Sequence, residues 1–247
     1  MPRYDFTSQR LFIDTPLNTG QTIELDRSQA NYLLNVLRLG NGDHVLVFNG
    51  IDGEWKANIF PTGRKKASLS VVEQTRCQPE AYDLVYLFAP IKQARMEYMV
   101  QKAVEMGASI LHPVLTEFTQ LRKVNTEKMH AQSIEAAEQC GILNIPKIEE
   151  ICPLQEAIDS LEDDRTIIFC DEGEATQNPL PVLNEIASRH LAVLVGPEGG
   201  FSEPERQALR ARKNVVAMPL GPRILRADTA AVAALALVQS KLGDWSD

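Results

Sequence analysis

The longest uninterrupted apolar run in this 247-residue sequence, Ala230 to Val238, covers nine residues. A helix that spans a bilayer needs about 20, so no membrane-crossing segment is expected. There is also no basic start followed by an apolar stretch of the kind that forms a secretory leader, and a cytoplasmic globular protein is the expectation. Cysteine is scarce and scattered: Cys77, Cys140, Cys152 and Cys170 form no C-x-x-C pair and have no histidine cluster beside them. Neither zinc ligation nor a disulfide framework is expected, and no metal site is assigned. No G-x-x-x-x-G-K-[ST] string occurs, and the glycines lack the G-x-G-x-x-G spacing, which disfavours a kinase or a dehydrogenase. His44, His112, His130 and His190 share no visible constellation and read as structural or exposed.

Hydrophobic residues make up 44% of the chain, enough for one large domain, or an ordinary domain with a small one beside it. The net charge of −8 argues at first against a nucleic-acid partner. Its distribution removes the objection: residues 135–174 carry two basic and twelve acidic residues, and the rest of the chain is close to neutral. Basic clusters such as Arg64-Lys65-Lys66 and Arg122-Lys123 can then face RNA or serve as solvated loop charges.

The first ~75 residues read as short strands separated by turn signals. Asp43 to Phe48 and Glu54 to Phe60 flank Asn49-Gly50-Ile51-Asp52-Gly53, which predicts a hairpin. One helix is predicted within Ser28 to Leu39, where Tyr32, Leu33, Val36 and Leu37 recur at helical spacing and Gly40 supplies the stop. From residue 76 onward, strands alternate with helices, the pattern of a mostly parallel α/β sheet. The predicted strands are Leu84 to Ala89, Ile110 to Leu115, Thr166 to Cys170, Leu191 to Val195 and Val215 to Met218. Met96, Met99, Val100, Ala103 and Val104 form a helical stripe ending at Gly107, and Ser202-Glu203-Pro204-Glu205 opens another helix as a capping box.

Two of these strands run into glycine–proline loops, Gly196-Pro197-Glu198-Gly199-Gly200-Phe201 and Gly221-Pro222-Arg223-Ile224-Leu225-Arg226. Ligands of open α/β sheets sit outside the carboxyl ends of strands, so two such loops can wall one backbone-lined site. Glycine permits close approach and proline stiffens it. A tight strand-to-helix turn with no ligand uses the same residues.

The string Gly196-Pro197-Glu198-Gly199-Gly200-Phe201-Ser202, followed by Leu220-Gly221-Pro222-Arg223-Ile224-Leu225-Arg226-Ala227-Asp228-Thr229-Ala230, resembles the paired signature of the RsmE-type 16S rRNA uridine-N3 methyltransferases. Lys92 to Glu97, Gln101 to Gly107, Ala136 to Gly141 and Val36 to Gly40 are similar to further segments of that family, so the resemblance covers almost the whole chain. It implies a PUA-like RNA-binding β-barrel over residues 1–75 and a SPOUT domain with a C-terminal trefoil knot over 76–247. It also implies S-adenosylmethionine as cofactor, 16S rRNA or the small ribosomal subunit as partner, and a homodimer. The wholly apolar Ala230 to Val238 fits a helix buried on several faces, within one subunit or between two.

On this resemblance the cofactor falls to the main chain of Val195, Gly196, Gly199, Gly200, Leu220, Gly221, Ile224 and Leu225. Arg226 is the candidate for stabilising charge on the uracil oxygens or clamping the target phosphate, since guanidinium is a permanent forked donor. Asp228 or Glu198 would accept the N3 proton, although Asp228 at the start of an alanine-rich helix also reads as an N-cap, and Arg226 pairing with Asp228 is an alternative. RNA contacts are assigned to Arg3, Arg10, Arg38, Lys92, Arg95, Arg122 and Lys123. Two departures stand out: the family more often has Glu in place of Asp228, and relatives commonly carry arginines within the stretch matching Gly141 to Pro146.

Overall fold

The computed structural model describes residue 5, residues 7–171 and residues 177–245, leaving aside the side chain of Gln93. It divides into two compact units, one formed by residues 1–80 with 137–145 and the other by 81–136 with 146–247. Arg3 lies outside the described residues.

The first unit is built on a five-stranded sheet, ordered β1-β3-β4-β5-β2, from β1 (Arg10–Phe12), β2 (Thr22–Glu24), β3 (His44–Phe48), β4 (Glu54–Gly63) and β5 (Lys66–Arg76). β3 and β4 pair antiparallel across Asn49 to Gly53, as the hairpin reading requires. The strand order has two ends: β1 and β2, three residues each, do not pair with one another, so the described sheet is open where the resemblance implies a barrel. Helix α1 (Arg27–Asn31) starts in a capping box between Asp26 and Gln29. The predicted helix continues from it as a π-helical turn over Tyr32–Val36. Arg38 then adopts φ 59°, so the reversal falls on an arginine two residues before Gly40. Leu33, Val45, Val47, Ile59 and Leu69 fill the core between helix and sheet.

Arg10 turns inward. Its Nε donates to Glu54 Oε2 at 2.9 Å, and its side chain is 4% exposed, so it leaves the RNA-facing set. The same carboxylate accepts from Arg76 and Thr75. Residues 137–145 close this unit: Phe12 N donates to Glu138, Arg76 to the Gly141 carbonyl, and Gln78 to Asn144.

The second unit carries β6 (Leu84–Phe88), α2 (Gln93–Glu105), β7 (Ile110–Leu115), α3 (Thr126–Cys140, its last turn counted with the first unit), β8 (Lys147–Ile148), β9 (Cys152–Pro153) and α4 (Leu154–Asp159). After these come β10 (Thr166–Cys170), α5 (Leu180–Asn184), β11 (Leu191–Val195), α6 (Glu203–Arg210), β12 (Val215–Met218) and α7 (Ala227–Leu242). The sheet runs β12-β10-β11-β6-β7-β8, with β9 also on β7, and every pairing is parallel. β6 and β11 are buried along their whole length, as central parallel strands covered on both faces must be. The α2 stripe of Met96, Met99, Val100, Ala103 and Val104 is buried throughout. α7 buries Ala227, Ala230, Ala231, Ala234, Leu235 and Val238, while Val232, Ala233, Ala236 and Leu237 stay partly exposed along its flank. Among the described residues, no helix is long and apolar enough to cross a membrane.

Candidate active site

β12, β10 and β11 are neighbours and parallel, so their carboxyl ends open on one edge of the sheet. The two glycine–proline loops leave β11 and β12, and β10 lies between these strands, so the end of β10 enters the site between the loops. A cavity forms there. Val195, Gly196, Gly200, Leu220, Gly221, Ile224 and Leu225, seven of the eight positions that the resemblance gives to the cofactor, line it. Gly199 does not: a Cβ at this position would stand 3.2 Å from Phe118 Cβ, so the residue faces the loop after β7. The Pro197 carbonyl accepts from Gly200 N at 2.9 Å, and this turn points residues 199 and 200 in different directions.

Sequence reasoning missed several lining residues. Asp171, directly after β10, has a fully buried carboxylate that pairs with Arg206 at 2.8 Å and Arg210 at 2.7 Å. Asp171 and Arg206 both line the cavity. The rule that led to the loops, that ligands sit at strand carboxyl ends, applies equally to Asp171. Cys170 lines the cavity too, and burial, with the Asp171 charge adding, pushes its thiol up to about 12. Phe201 closes one wall; its ring meets that of Phe169 on β10 edge-on, with centroids 4.9 Å apart.

The loop after β11 is anchored through α6. Ser202 and Glu205 form the expected capping box, and the second oxygen of Glu205 accepts from Glu117 N at 2.8 Å. One carboxylate thus ties the 196–202 loop to the Thr116–Leu121 loop.

The predicted catalytic residues lie beside this cavity and not in its lining. Glu198 accepts from Arg95 Nη1 at 3.3 Å, and Arg95 Nε lies 4.0 Å from Asp228 Oδ2. Arg95, assigned from sequence to RNA, therefore sits between the two acidic candidates. Asp228 is not the N-cap of α7. That position is Arg226, and Asp228, in the first turn, accepts from Thr229 N at 2.9 Å. Arg226 is exposed and does not pair with Asp228; its side chain has no hydrogen bond or ion pair among the described residues. Arg38 in the first unit and Lys92, Arg122 and Lys123 in the second are exposed. Beneath α7, the Tyr86 hydroxyl is fully buried and has no hydrogen-bond partner among the described residues. Burial raises its pKa well above the ordinary value, with the charges of Cys170 and Asp228 adding.

Three histidines acquire partners: His44 Nε2 lies 3.4 Å from Ser8 Oγ, His190 Nδ1 2.8 Å from Asp83 Oδ2, and His112 Nε2 3.3 Å from Cys152 Sγ. Burial lowers the His112 imidazole pKa and raises that of the Cys152 thiol, the reverse of what an activated thiolate–imidazolium pair needs. Among the described residues, no cluster of three or more His, Cys, Asp or Glu side chains is arranged to hold a metal.

Comparison with known proteins agrees with this architecture. Residues 78–239 match the family model described as RNA methyltransferase domain, and residues 25–72 match that described as RNA methyltransferase PUA domain. The ribosomal RNA small subunit methyltransferase E of Rickettsia conorii is 32% identical, with 93% of this chain and 94% of that protein covered. The protein of the same name from Buchnera aphidicola is 29% identical over 96% and 98%. The crystal structure of a ribosomal RNA small subunit methyltransferase E from Neisseria gonorrhoeae bound to S-adenosyl methionine superposes with a TM-score of 0.87 at 27% identity, covering 96% of this chain and 99% of that one. The parallel sheet, the paired glycine–proline loops and these matches along nearly the full length together establish that the chain belongs to the RNA methyltransferase family that includes ribosomal RNA small subunit methyltransferase E.

Proposed function

We propose that the protein transfers a methyl group from S-adenosylmethionine to N3 of a uridine in the 16S RNA of the small ribosomal subunit. The observation that carries this reading is a cavity walled by both glycine–proline loops at the carboxyl ends of β12, β10 and β11. Its residues suit that cofactor. Gly221 has φ +92°, and a Cβ there would meet nothing within 4 Å among the described residues, so the backbone borders space that a side chain would take up. The walls combine apolar Leu220, Ile224 and Leu225 with the charged pair Asp171–Arg206, a match for a ligand with a flat aromatic base and a zwitterionic end. When bound, the cofactor supplies an electrophilic methyl group on a sulfonium.

The chain supplies positioning, a proton acceptor and charge stabilisation. Glu198 takes the N3 proton, since Arg95 holds its carboxylate beside the loop; Asp228, with one oxygen engaged by Thr229 N, stands second. Arg226, exposed and without an ion pair among the described residues, supports charge on the uracil oxygens or holds the flanking phosphate. Arg122 and Lys123 on the second unit and Arg38 on the first contact the RNA backbone. We assign the first unit as a PUA-like RNA-binding module and the second as a SPOUT domain with a trefoil knot. The step from β11 to β12, which places β12 on the other side of β10, supports that threading. The partly exposed Val232, Ala233, Ala236 and Leu237 on α7 support a homodimer, and a ribosomal substrate supports a cytoplasmic location.

The test is incubation with S-adenosylmethionine and small subunits lacking their native modifications, followed by digestion and mass spectrometry of the nucleosides. New 3-methyluridine at one position is the expected product. A ribose-methylated nucleoside moves the enzyme to another SPOUT activity, and no product together with no cofactor binding favours a non-catalytic assembly factor.

A further inference from the structure

Glu198 belongs to a second cavity, next along the loop from Pro197, which lines the first. At about 420 Å³ it falls in the size range of small-molecule pockets. Its apolar part is Pro90, Ile91 and Leu121, and its polar groups are Lys92, Arg95 and Glu198, with the Gln120 amide beside them. The Arg95 and Glu198 side chains are 38% and 45% exposed, so they are held by each other yet open to a ligand. Arg95 is braced further by Asp228, 4.0 Å from its Nε. Lys92 is exposed and makes no ion pair among the described residues.

The chemistry of these groups selects an occupant. Lysine and arginine only donate hydrogen bonds, and an ionised carboxylate only accepts them. The three charged groups therefore offer two donors and one acceptor, and the Gln120 amide, which can do either, does not alter that pattern. The edge of uracil centred on N3 presents the complementary pattern: O2 accepts, N3–H donates and O4 accepts. Cytosine matches only at O2, because its N3 is a lone pair facing the carboxylate and its amino group faces a cation. A site built to hydrogen-bond one pattern rejects the other strongly, since the mismatched polar groups are left unpaired.

We propose that this second cavity seats the target uracil, and that Lys92, Glu198 and Arg95 read its N3 edge as donor, acceptor and donor. The proposal rests on the uridine reading given above and adds the seat of the base and the groups that distinguish it from cytosine.

The test uses the full chain, saturated with S-adenosylhomocysteine, and small-subunit RNA in which 4-thiouridine replaces uridine. After irradiation and digestion, crosslinked peptides are mapped by mass spectrometry, with uridine 5′-monophosphate or cytidine 5′-monophosphate as competitor. Crosslinks are expected in the peptides carrying Pro90–Arg95 or Gln120–Leu121, with uridine monophosphate competing about tenfold better than cytidine monophosphate. Leu121→Trp, which fills the cavity, should remove these crosslinks and leave S-adenosylhomocysteine affinity unchanged; Glu198→Gln should keep the crosslinks and erase the preference for uridine. Crosslinks confined to other peptides, or none, overturn the seat of the base. Equal competition by the two nucleotides in the unaltered protein, or a preference that survives Glu198→Gln, overturns the reading of the edge. The methyl-transfer assay is independent: uridine-specific crosslinks here without 3-methyluridine there would keep the pocket and reject the activity.

Discussion

The ring of Phe201 folds back against Gly196, so that a Cβ on residue 196 would lie 2.6 Å from Cε2 of the ring. Because the same ring packs edge-on against Phe169 of β10, the loop after β11 is fastened to the neighbouring strand through this contact. Gly196→Ala must displace the ring into a packed wall, an overpacking cost of about 1–3 kcal/mol. Thermal unfolding should show the loss, and calorimetry should show weaker binding of S-adenosylmethionine. Unchanged values in both would mean that Phe201 moves without consequence.

Gly221 presents the opposite case, with open space where its side chain would be. A non-glycine residue in its left-handed conformation costs about 1–2 kcal/mol, which the fold should withstand. Gly221→Trp is expected to stay folded and to lose cofactor binding, and calorimetry showing ordinary affinity would reject the cavity as the cofactor site.

Arg226 stands outside the cavity lining and makes no ion pair among the described residues. Arg226→Ala should therefore abolish methyl transfer while changing cofactor affinity by no more than about twofold, the signature of an interaction made only in the transition state. Single-turnover kinetics beside calorimetry separates the two quantities, and unaltered turnover removes Arg226 from the mechanism.

In the first unit, burial would raise the Glu54 carboxyl, but the hydrogen bonds from Arg76, Thr75 and Arg10 and the charge of Arg76 prevail and hold it below its usual 4.5. A lowered carboxyl contributes stability that is present above the unfolded-state pKa and disappears as pH falls through the folded-state value. The urea midpoint of this unit should accordingly drop as pH falls below 4.5. Trp55 is the reporter, since its indole donates to the Asp52 carbonyl inside the unit. Glu54→Gln should flatten that dependence and destabilise the unit by about 3–5 kcal/mol, because it breaks a buried ion pair by removing one partner. A pH profile identical in the variant would remove Glu54 as its source.

The thiols should separate into two classes. Cys77 and Cys140 are exposed, while burial raises Cys152 and pushes Cys170 up to about 12. Since the thiolate is the reactive species, alkylation at about pH 8 should modify Cys77 and Cys140 well before the other two. Peptide mapping that found Cys170 modified first would contradict its raised pKa.

Features that depend on near neighbours in the chain could be read from the residues. The strand runs, the hairpin around Asn49 to Gly53, the Ser202–Glu205 capping box and the α2 stripe follow from periodicity, turn chemistry and caps, all of which act over a few residues. The end of the helix after Tyr32 was less legible: the spacing calls for a plain helix closed by Gly40, whereas a π-helical turn intervenes and Arg38 takes the positive φ. Asp228 has a composition suited to capping, but the chain enters α7 two residues earlier.

By itself the sequence determined that this is an α/β protein with a β-rich start, that two glycine–proline loops follow strands, and which family signature those loops carry. Tertiary structure decided what stands between and beside them. β10 separates β11 from β12, which puts Asp171 into the cavity wall; Arg95 meets Glu198 across 103 positions of chain and approaches Asp228; and Arg10 is withdrawn from solvent by Glu54. The reason is physical. A strand or a cap is selected by local backbone and side-chain preferences, but the order of strands in a sheet, and hence which distant charges meet, is set by the packing of the whole core, to which no single segment holds the key.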